Sequence, residues 1–382
     1  MKILHILPFL TPKRGGSVIV PCELGKYQIK KGLIVSLITS DFEFDKDFAS
    51  ELEALGIRIF KFHCKLNLKL FLYSPSMKKW VKNNLLYYDI VHMHNFRSYQ
   101  NNVLLKYCQL YKIPFILQAH GSLLQIVEKK WLKVFYDQFF GKSLLEKSNI
   151  VIAVSNLEYY QYIDSNVPKD KIKIISNGIS LNKYTNLEIR TNKINYIDLD
   201  GKKVILFLGR IHKIKGLDFL IRSFSLLVKD YKNTVLIIAG PDEGYKTQLK
   251  ILIEDLNLSK FVYFVGFIPD LSAYINSDIL VYPASFEIFG LVPFEAIMCG
   301  IPVIVTKNTG CGDLILESNS GLVVDYENYV QLKDAMKFFL ENPEKSNLYV
   351  ERGKKYIKDK LSWDNIVNEY LEVYNDIINN EK

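Results

Sequence analysis

Residues 203–220 read KVILFLGRIHKIKGLDFL and contain the repeating unit of the predicted fold. A short apolar run ends at Gly209, which is typical of a buried strand followed by a turn. The residues from Gly216 onward predict a helix. A strand, a short turn and a helix in this order indicate a parallel α/β sheet.

The same alternation continues through both halves of the chain. Strands are predicted at 2–7, 33–39, 57–62, 89–94, 114–120 and 149–155, and again at 203–209, 234–240, 262–266, 278–284, 302–306 and 321–325. Helix-like stretches lie between several of them. The chain of 382 residues also favours two domains over one.

The predicted fold class is therefore α/β, with two Rossmann-like, doubly wound parallel-sheet domains that face each other across a cleft. The first domain covers residues 1–183 and the second covers 203–360. Residues 184–202 are polar, rich in Asn and without sustained period, which indicates a linker. A C-terminal helix over 361–380 is expected to pack back on the first domain.

Composition excludes several classes of protein. No apolar run approaches the ~18–20 residues that span a bilayer, and the N-terminal MKILHILPFL is too short for a secretory signal. The five cysteines are scattered and odd in number, which argues against disulfides and structural zinc. We therefore expect a cytoplasmic protein.

Charge is distributed unevenly along the chain. Residues 1–185 hold 26 Lys and Arg against 14 Asp and Glu, whereas the remainder holds 23 against 27. A basic first half indicates an anionic partner such as a phospholipid surface, a lipid diphosphate or nucleic acid, or it serves only solubility. The segment 123–147 combines aromatic side chains with five lysines. It predicts either peripheral contact with the inner face of an anionic membrane or packing in the first domain's core.

Two basic residues follow the predicted strand at 203–209. Arg210 can bind phosphate oxygens with a planar fork, and Lys215 can bind them as a point charge. Alone, this pair would be as well explained by an exposed basic loop.

A second stretch supplies the complementary half of an anion site. In ASFEIFGLVPFEAIMCG (284–300), a helix is predicted over 291–298 and its first turn tolerates proline. The backbone N–H groups of Phe289, Gly290 and Leu291 then point from the positive end of a helix, where anions bind without a metal. Glu295 lies one turn into the helix and could accept two hydrogen bonds from a ribose. Glu287 precedes the helix in the loop.

Five short elements occur in a fixed order along nearly the whole chain. They are Gly15-Gly16, His120-Gly121, Asn177-Gly178, Gly209-Arg210 with Lys215-Gly216, and Glu287 with Glu295 in an E-x7-E spacing. In this order the chain resembles the retaining, nucleotide-sugar-dependent glycosyltransferases of family 4, which have the B-type glycosyltransferase fold. It departs from the family pattern at Ile288, where glycine is commoner.

The resemblance implies a role for each matching residue. Arg210 and Lys215 would bind the donor diphosphate, Glu295 would bind the ribose, and Glu287 and His120 would contact the donor sugar as catalytic residues. The remaining substrate-binding residues implied by the motifs are Gly15 and Gly16 near the phosphates, Asn177, the backbone around Ile268 near the nucleobase, and Phe289, Gly290 and Leu291 at the helix end. The family retains anomeric configuration, and neither a metal nor another cofactor is expected.

The predicted partners are a nucleotide-diphosphate sugar and a glycan or lipid-linked acceptor, with no nucleic acid. Alternatives are a nucleotide-sugar epimerase or hydrolase of the same fold, or a non-catalytic nucleotide- or glycan-binding protein. A glycosidase would also use two carboxylates, but that interpretation leaves Arg210 and Lys215 without a role. The oligomeric state stays open.

Three weaker patterns are set aside. Asp198-Leu199-Asp200 looks like a metal-binding Asp-x-Asp, but it precedes a strand and lies in the linker. His92 and His94 at a strand end could bind a metal, but no third ligand is evident nearby in the sequence. The dinucleotide fingerprint G-x-G-x-x-G is absent.

Overall fold

The computed structural model describes residues 1–67, 71–123, 136–184, 199–268, 274 and 277–380. These residues form two compact units. Unit 1 comprises Met1–Gly178 and Trp363–Lys382, and unit 2 comprises Ile179–Ser362. Residues 185–198 of the predicted linker 184–202 lie outside the described residues, and these include Asp198 of the Asp-x-Asp pattern.

Unit 1 is built on a parallel sheet, with a small antiparallel hairpin beside it. The described strands are β1 Lys2–Ile6, β2 Ile34–Ser40, β3 Arg58–Phe62, β4 Leu66–Asn67, β5 Leu72–Tyr73, β6 Ile90–His94, β7 Phe115–Gln118, β8 Ile150–Ala153 and β9 Ile172–Ile174. The sheet order is β3-β2-β1-β6-β7-β8-β9, and β4 pairs with β5. Its described helices are α1 Gly16–Lys30, α2 Lys46–Ala54, α3 Pro75–Asn84, α4 Tyr99–Tyr111, α5 Lys142–Lys147 and α6 Asn156–Asp164.

Unit 2 repeats this plan. Its described strands are β10 Lys203–Leu208, β11 Thr234–Ala239, β12 Val262–Gly266, β13 Ile279–Tyr282, β14 Val303–Thr306 and β15 Leu322–Val324, in the order β12-β11-β10-β13-β14-β15. Its described helices are α7 Leu217–Leu227, α8 Lys246–Asp255, α9 Leu291–Met298, α10 Gly310–Ser318, α11 Tyr329–Glu341 and α12 Pro343–Tyr356, and α13 Trp363–Asn380 returns to unit 1.

The strand order reverses beside the first strand of each sheet, which makes both sheets doubly wound. In unit 2, β10 pairs in parallel with β11 on one side and with β13 on the other. The prediction of an α/β protein with two doubly wound parallel-sheet domains is therefore confirmed. Each predicted strand overlaps an observed one, because strands covered on both faces read as continuous apolar runs. Every residue of β11 is buried, for example.

The sequence patterns missed three short strands. The sheet-edge strand β9 reads IKI and buries only its first residue, so its mixed polarity gives no strand signal. The hairpin strands β4 and β5 have two residues each, too few to show a period.

The C-terminal helix α13 packs within unit 1 through its first residue. A Cβ added at Gly178 would lie 2.3 Å from the Trp363 indole ring, so only glycine leaves room for that ring there. The indole also stacks on Tyr27 of α1, with ring centroids 6.0 Å apart. The glycine of the Asn177-Gly178 motif thus has a packing role.

Among the described helices, none combines the length and apolarity needed to cross a membrane. Residues 124–135 of the aromatic segment 123–147, on which the membrane-contact prediction rests, lie outside the described residues. In the part that the structure describes, Phe139 and Phe140 are exposed.

Candidate active site

The two loops that carry the predicted anion-binding residues of unit 2 meet at the carboxyl edge of its sheet. One follows β10 and the other follows β13, its neighbour in the sheet. The Ser285 backbone N–H donates to the Ile214 carbonyl at 2.9 Å. Gly216 has φ +65°, and a Cβ there would lie 2.0 Å from the Pro283 carbonyl oxygen. This close approach requires glycine at 216 and holds the two loops together.

Lys215 lies at the centre of this junction. Its side chain is only 8% exposed and forms an ion pair with Glu287. The ammonium also donates to the Tyr282 hydroxyl at 2.9 Å. Tyr282 in turn donates to the Glu287 carboxylate at 2.6 Å. The three side chains form a closed, buried hydrogen-bonded triangle.

The triangle sets the charge of Glu287. Burial alone would raise its pKa, but the Lys215 charge and the hydrogen bonds from Lys215 and Tyr282 outweigh burial and hold the pKa below its usual value. Glu287 is therefore an ionised hydrogen-bond acceptor. Since this carboxylate neutralises Lys215 locally, a further anion must draw its main stabilisation from other groups.

Arg210 supplies a second, more adjustable cation. Its side chain is 52% exposed and donates to the Glu243 carboxylate at 2.7 Å. Glu243 follows β11, and its backbone N–H donates to the Ile211 carbonyl at 3.1 Å. Exposed ion pairs are worth about 0–1 kcal/mol, so an anion could displace Glu243 at little cost.

The predicted helix at 291–298 is present as α9, and its first turn carries no side-chain cap among the described residues. Gly290 has φ +80°, and a Cβ there would approach the Cys311 sulfur to 2.9 Å. The Gly310 backbone N–H donates to the Glu287 carbonyl at 2.9 Å, and a Cβ on Gly310 would meet the Ile288 carbonyl at 1.9 Å. The start of α10 thus clamps the loop that presents the N-terminus of α9.

Glu295 is half-buried on α9. Tyr274 donates to its carboxylate at 3.1 Å. Burial raises the pKa of Glu295, and the Tyr274 hydrogen bond and the Lys183 charge act against that rise. The structure thus places a carboxylate one turn from the helix N-terminus, on the same helix that Glu287 precedes.

The other predicted substrate-binding residues are distant in sequence from Lys215, Tyr282 and Glu287. Gly15 has φ +64° and separates the short turn Pro12–Arg14 from α1, which begins at Gly16. Asn177 is buried, and its side-chain oxygen has no hydrogen-bond partner among the described residues. Ile268 is half-buried, two residues after β12 ends.

His120 is the outermost member of a chain of imidazoles in unit 1. It follows β7 and has a left-handed backbone conformation, with φ +50°. Its Nε2 lies 3.0 Å from Nδ1 of His94. Nε2 of His94 lies 2.8 Å from Nδ1 of His5, and Nε2 of His5 lies 2.8 Å from the side-chain oxygen of Gln28.

The structure adds His5 to the His92 and His94 pair noted in the sequence. Parallel pairing of β1 with β6 places His5 opposite His92, which the spacing in sequence could not show. Among the described residues, potential ligand atoms of these three histidines lie within 4.8 Å of one another. Both ring nitrogens of His5 and of His94 already take part in hydrogen bonds, however. The cluster is therefore best described as a hydrogen-bonded chain.

These imidazoles are held neutral. Burial lowers the pKa of His5 to about 4 and that of His120 to about 3. Burial also holds the pKa of His92 and of His94 well below the ordinary value, with further lowering by the neighbouring imidazoles. Each ring therefore carries one N–H donor and one acceptor nitrogen.

Sequence reasoning missed Tyr282, Tyr274 and Glu243. Tyr282 is the last residue of β13, and Glu243 follows the carboxyl end of β11. The rule that ligands gather at the carboxyl edge of a parallel sheet could have singled out both residues. Tyr274 follows no such rule, and its hydrogen bond to Glu295 depends on the tertiary fold.

Two family models match the chain, and together they cover both units. Residues 14–183 match the model of Glycosyltransferase Family 4, and residues 190–356 match that of Glycosyl transferases group 1. The chain belongs to the group 1, family 4 glycosyltransferases. The predicted family resemblance is confirmed.

Two relatives of this chain are also named glycosyltransferases. It is 26% identical over 390 residues to an uncharacterized glycosyltransferase of Methanocaldococcus jannaschii, covering 98% of both chains. It is 28% identical over 273 residues to the capsular polysaccharide biosynthesis glycosyltransferase CapM of Staphylococcus aureus, covering 68% of this chain and 70% of the relative.

Its fold matches that of Anabaena HepE, solved in complex with UDP and glucose. The TM-score is 0.80 at 19% identity, and the match covers 98% of this chain and 100% of HepE. At this identity the likeness establishes the fold alone.

Proposed function

We propose that this glycosyltransferase transfers a sugar from a nucleotide diphosphate to an acceptor hydroxyl, with retention of anomeric configuration and without a metal ion. The acceptor belongs to a surface polysaccharide or a lipid-linked glycan. The observation that carries the proposal is the Lys215–Tyr282–Glu287 triangle. Its Glu287 lies in the loop just before α9, whose first turn has no side-chain cap among the described residues. The names of the S. aureus and Anabaena proteins support the pathway and the donor class.

Each side chain of unit 2 has a role in this proposal. Arg210 and the backbone N–H groups at the start of α9 stabilise the negative charge that develops on the departing diphosphate. Lys215 keeps Glu287 ionised and oriented, so that Glu287 accepts a hydrogen bond from a hydroxyl of the donor sugar. Glu295 accepts hydrogen bonds from the ribose. Holding donor and acceptor in this order removes much of the entropic barrier to transfer.

Unit 1 carries the residues assigned by motif position alone. His120 is proposed to contact the donor sugar, and Gly15 and Gly16 to lie near the phosphates. Asn177 of unit 1 and, in unit 2, the backbone around Ile268 complete the proposed substrate-binding set. The acceptor hydroxyl attacks the anomeric carbon while its proton passes to the departing diphosphate.

The direct test is a binding panel followed by a transfer assay. UDP, GDP, ADP and their sugars are titrated against the protein, and the tightest donor is incubated with and without glycan acceptors, in buffer containing a strong chelator. NMR of the product anomeric proton reads the configuration. Inversion, or complete loss of activity in the chelator, contradicts the proposed mechanism. Consumption of the donor without any acceptor supports the epimerase or hydrolase alternative.

Removal of the Arg210 guanidinium is expected to weaken diphosphate binding. Arg210→Ala loses one charge-assisted contact, which costs about 1.5–3 kcal/mol of binding free energy. Isothermal titration with the preferred nucleotide measures the loss. Arg222→Ala, on the exposed face of α7 in the same unit, is the matched control and should bind normally. Unchanged affinity in Arg210→Ala would show that the diphosphate binds elsewhere.

Release of Arg210 from Glu243 is expected to have the opposite effect. Glu243→Gln removes the carboxylate that competes with the ligand for the guanidinium. Because an exposed pair contributes about 0.2–1 kcal/mol, nucleotide affinity should rise about 1.4-fold to fivefold at low salt. Glu254→Gln, exposed on α8, controls for the change in net charge. A fall in affinity would mean that Glu243 itself contacts the ligand.

A further inference from the structure

Unit 1 contains a polar chain that ends at the proposed sugar-contacting histidine. It runs from the Gln28 amide through His5 and His94 to His120, with heavy-atom distances of 2.8, 2.8 and 3.0 Å. Gln28, His5 and His94 are fully buried or nearly so. Each neutral imidazole has one donor nitrogen and one acceptor nitrogen, so the direction of each hydrogen bond constrains the next.

The Gln28 amide determines that direction. Its nitrogen donates to the Tyr374 hydroxyl at 3.0 Å, which leaves its oxygen facing Nε2 of His5. An amide oxygen only accepts, so the proton of His5 must lie on Nε2 and its Nδ1 must accept.

The same donor–acceptor constraint applies to His94 and then to His120. Since Nδ1 of His5 accepts, Nε2 of His94 carries the proton and Nδ1 of His94 accepts. Nε2 of His120 must then donate to His94. The remaining nitrogen of His120, Nδ1, is left without a proton.

We propose that Gln28, His5 and His94 are positioning residues that hold His120 with Nε2 protonated and Nδ1 free to accept a hydrogen bond from a substrate hydroxyl. The inference rests on the proposed function, in which His120 contacts the sugar. It adds a direction to that contact: His120 accepts a hydrogen bond from a sugar or acceptor hydroxyl, and a group that can only accept is disfavoured beside it.

The backbone supports this role. His120 adopts a positive φ, which is uncommon for a residue with a Cβ. The buried carboxylate of Glu158 fixes the turn by accepting from the backbone N–H groups of Gly121 at 2.6 Å and Val154 at 2.9 Å. Ring and backbone of His120 are thus both held by unit 1 itself.

A metal ion is the competing occupant of the cluster. A metal bound by His5, His92 and His94 would need one lone pair from each ring, and it would displace the hydrogen bonds that His5 makes to Gln28 or His94. The distances of 2.8 Å between partners are those of direct hydrogen bonds.

The first experiment reads the tautomers directly. Protein labelled with 15N at histidine is studied by long-range 1H–15N correlation at pH 7.5, with signals assigned by His120→Gln and His94→Gln. We expect His120, His94 and His5 all to be protonated on Nε2. Protonation of His120 on Nδ1, or one equivalent of bound zinc in the purified protein, overturns the proposal.

The second experiment links the tautomer to the reaction through a matched pair of variants. Gln28→Leu removes the acceptor, so the His120 signals should show mixed tautomers and kcat should fall about 10- to 100-fold with unchanged nucleotide affinity. Gln28→Glu keeps an acceptor facing His5, so at a pH where His5 stays neutral it should restore the tautomer and most of kcat. If Gln28→Leu lowers only the thermal stability, with the tautomer and kcat intact, the residue is merely structural and the proposal fails.

Different results would refute the proposed transfer function and the positioning role of Gln28, His5 and His94. The NMR measurement needs neither donor nor acceptor, so absence of transfer by the wild-type protein with the expected tautomers refutes the proposed function alone. The wrong tautomer in an active enzyme refutes the positioning role alone.

Discussion

Lys215→Ala is expected to abolish transfer and to lower the free energy of unfolding of unit 2 by about 3–5 kcal/mol, the usual cost of breaking a buried ion pair on one side. The variant leaves the Glu287 carboxylate buried without its cation. Burial, which is now outweighed by the lysine, would then raise the pKa of Glu287 and favour its protonation. Urea unfolding and the transfer assay measure the two effects separately.

Two further variants show whether the loss of stability comes from breaking the Lys215–Glu287 pair or from removing a positive charge alone. Lys213→Ala lies in the same turn but is exposed, so it should change stability by less than about 0.5 kcal/mol. The double variant Lys215→Met with Glu287→Gln removes both charges. It should regain most of the lost stability while staying inactive, because the two residues couple strongly in a double-mutant cycle. Full stability of Lys215→Ala would contradict the buried triangle.

Acidification is expected to destabilise unit 1 before it affects exposed ion pairs. The folded pKa of His5 is lowered to about 4 from an ordinary value of 6.5. The unfolded chain therefore binds the proton first as the pH falls, and stability declines below pH 6.5. Between pH 7.5 and pH 5 this amounts to about 2 kcal/mol for His5 alone. His92, His94 and His120 act in the same direction.

One buried carboxyl acts in the opposite direction. Burial raises the pKa of Glu158 to about 7 despite its two backbone hydrogen bonds. Glu158 binds its proton more tightly in the folded protein than in the unfolded chain. Its protonation therefore stabilises the folded protein as the pH falls through 7. Four imidazoles outweigh one carboxyl, and we expect a net loss of at least ~2 kcal/mol by pH 5.

Urea unfolding followed between pH 7.5 and pH 5 measures this loss. His92→Asn removes one buried imidazole and should make the pH dependence shallower. Stability that is constant or rises toward pH 5 would mean that the buried imidazoles are charged in the folded protein.

The fold could be predicted from the sequence because the patterns that indicate strands and helices are local. Strands such as 203–209 and 234–240 are continuous apolar runs, and the glycines and prolines that bound the helix at 291–298 act within a few residues. The spacing of Glu287 and Glu295, and of Arg210 and Lys215, likewise spans one loop or one helix turn. The family assignment needed only the order of these local elements.

The partners of the site residues are not local, and the sequence did not show them. Lys215 and Glu287, 72 residues apart, were expected to contact different parts of a donor, yet they form a direct ion pair, and Tyr282 bonds to both. Arg210 is engaged by Glu243 from the neighbouring strand's loop. Both pairings arise because parallel strands bring their carboxyl ends to one edge of the sheet, whatever their distance in sequence.

The chain by itself thus determined two doubly wound sheets, the family and the residue types at the candidate site, since each depends on short-range pattern. Only the tertiary structure decided which of these residues touch. His5 joins His94, 89 residues away, because β1 lies beside β6, and that strand order is set by the packing of the whole sheet.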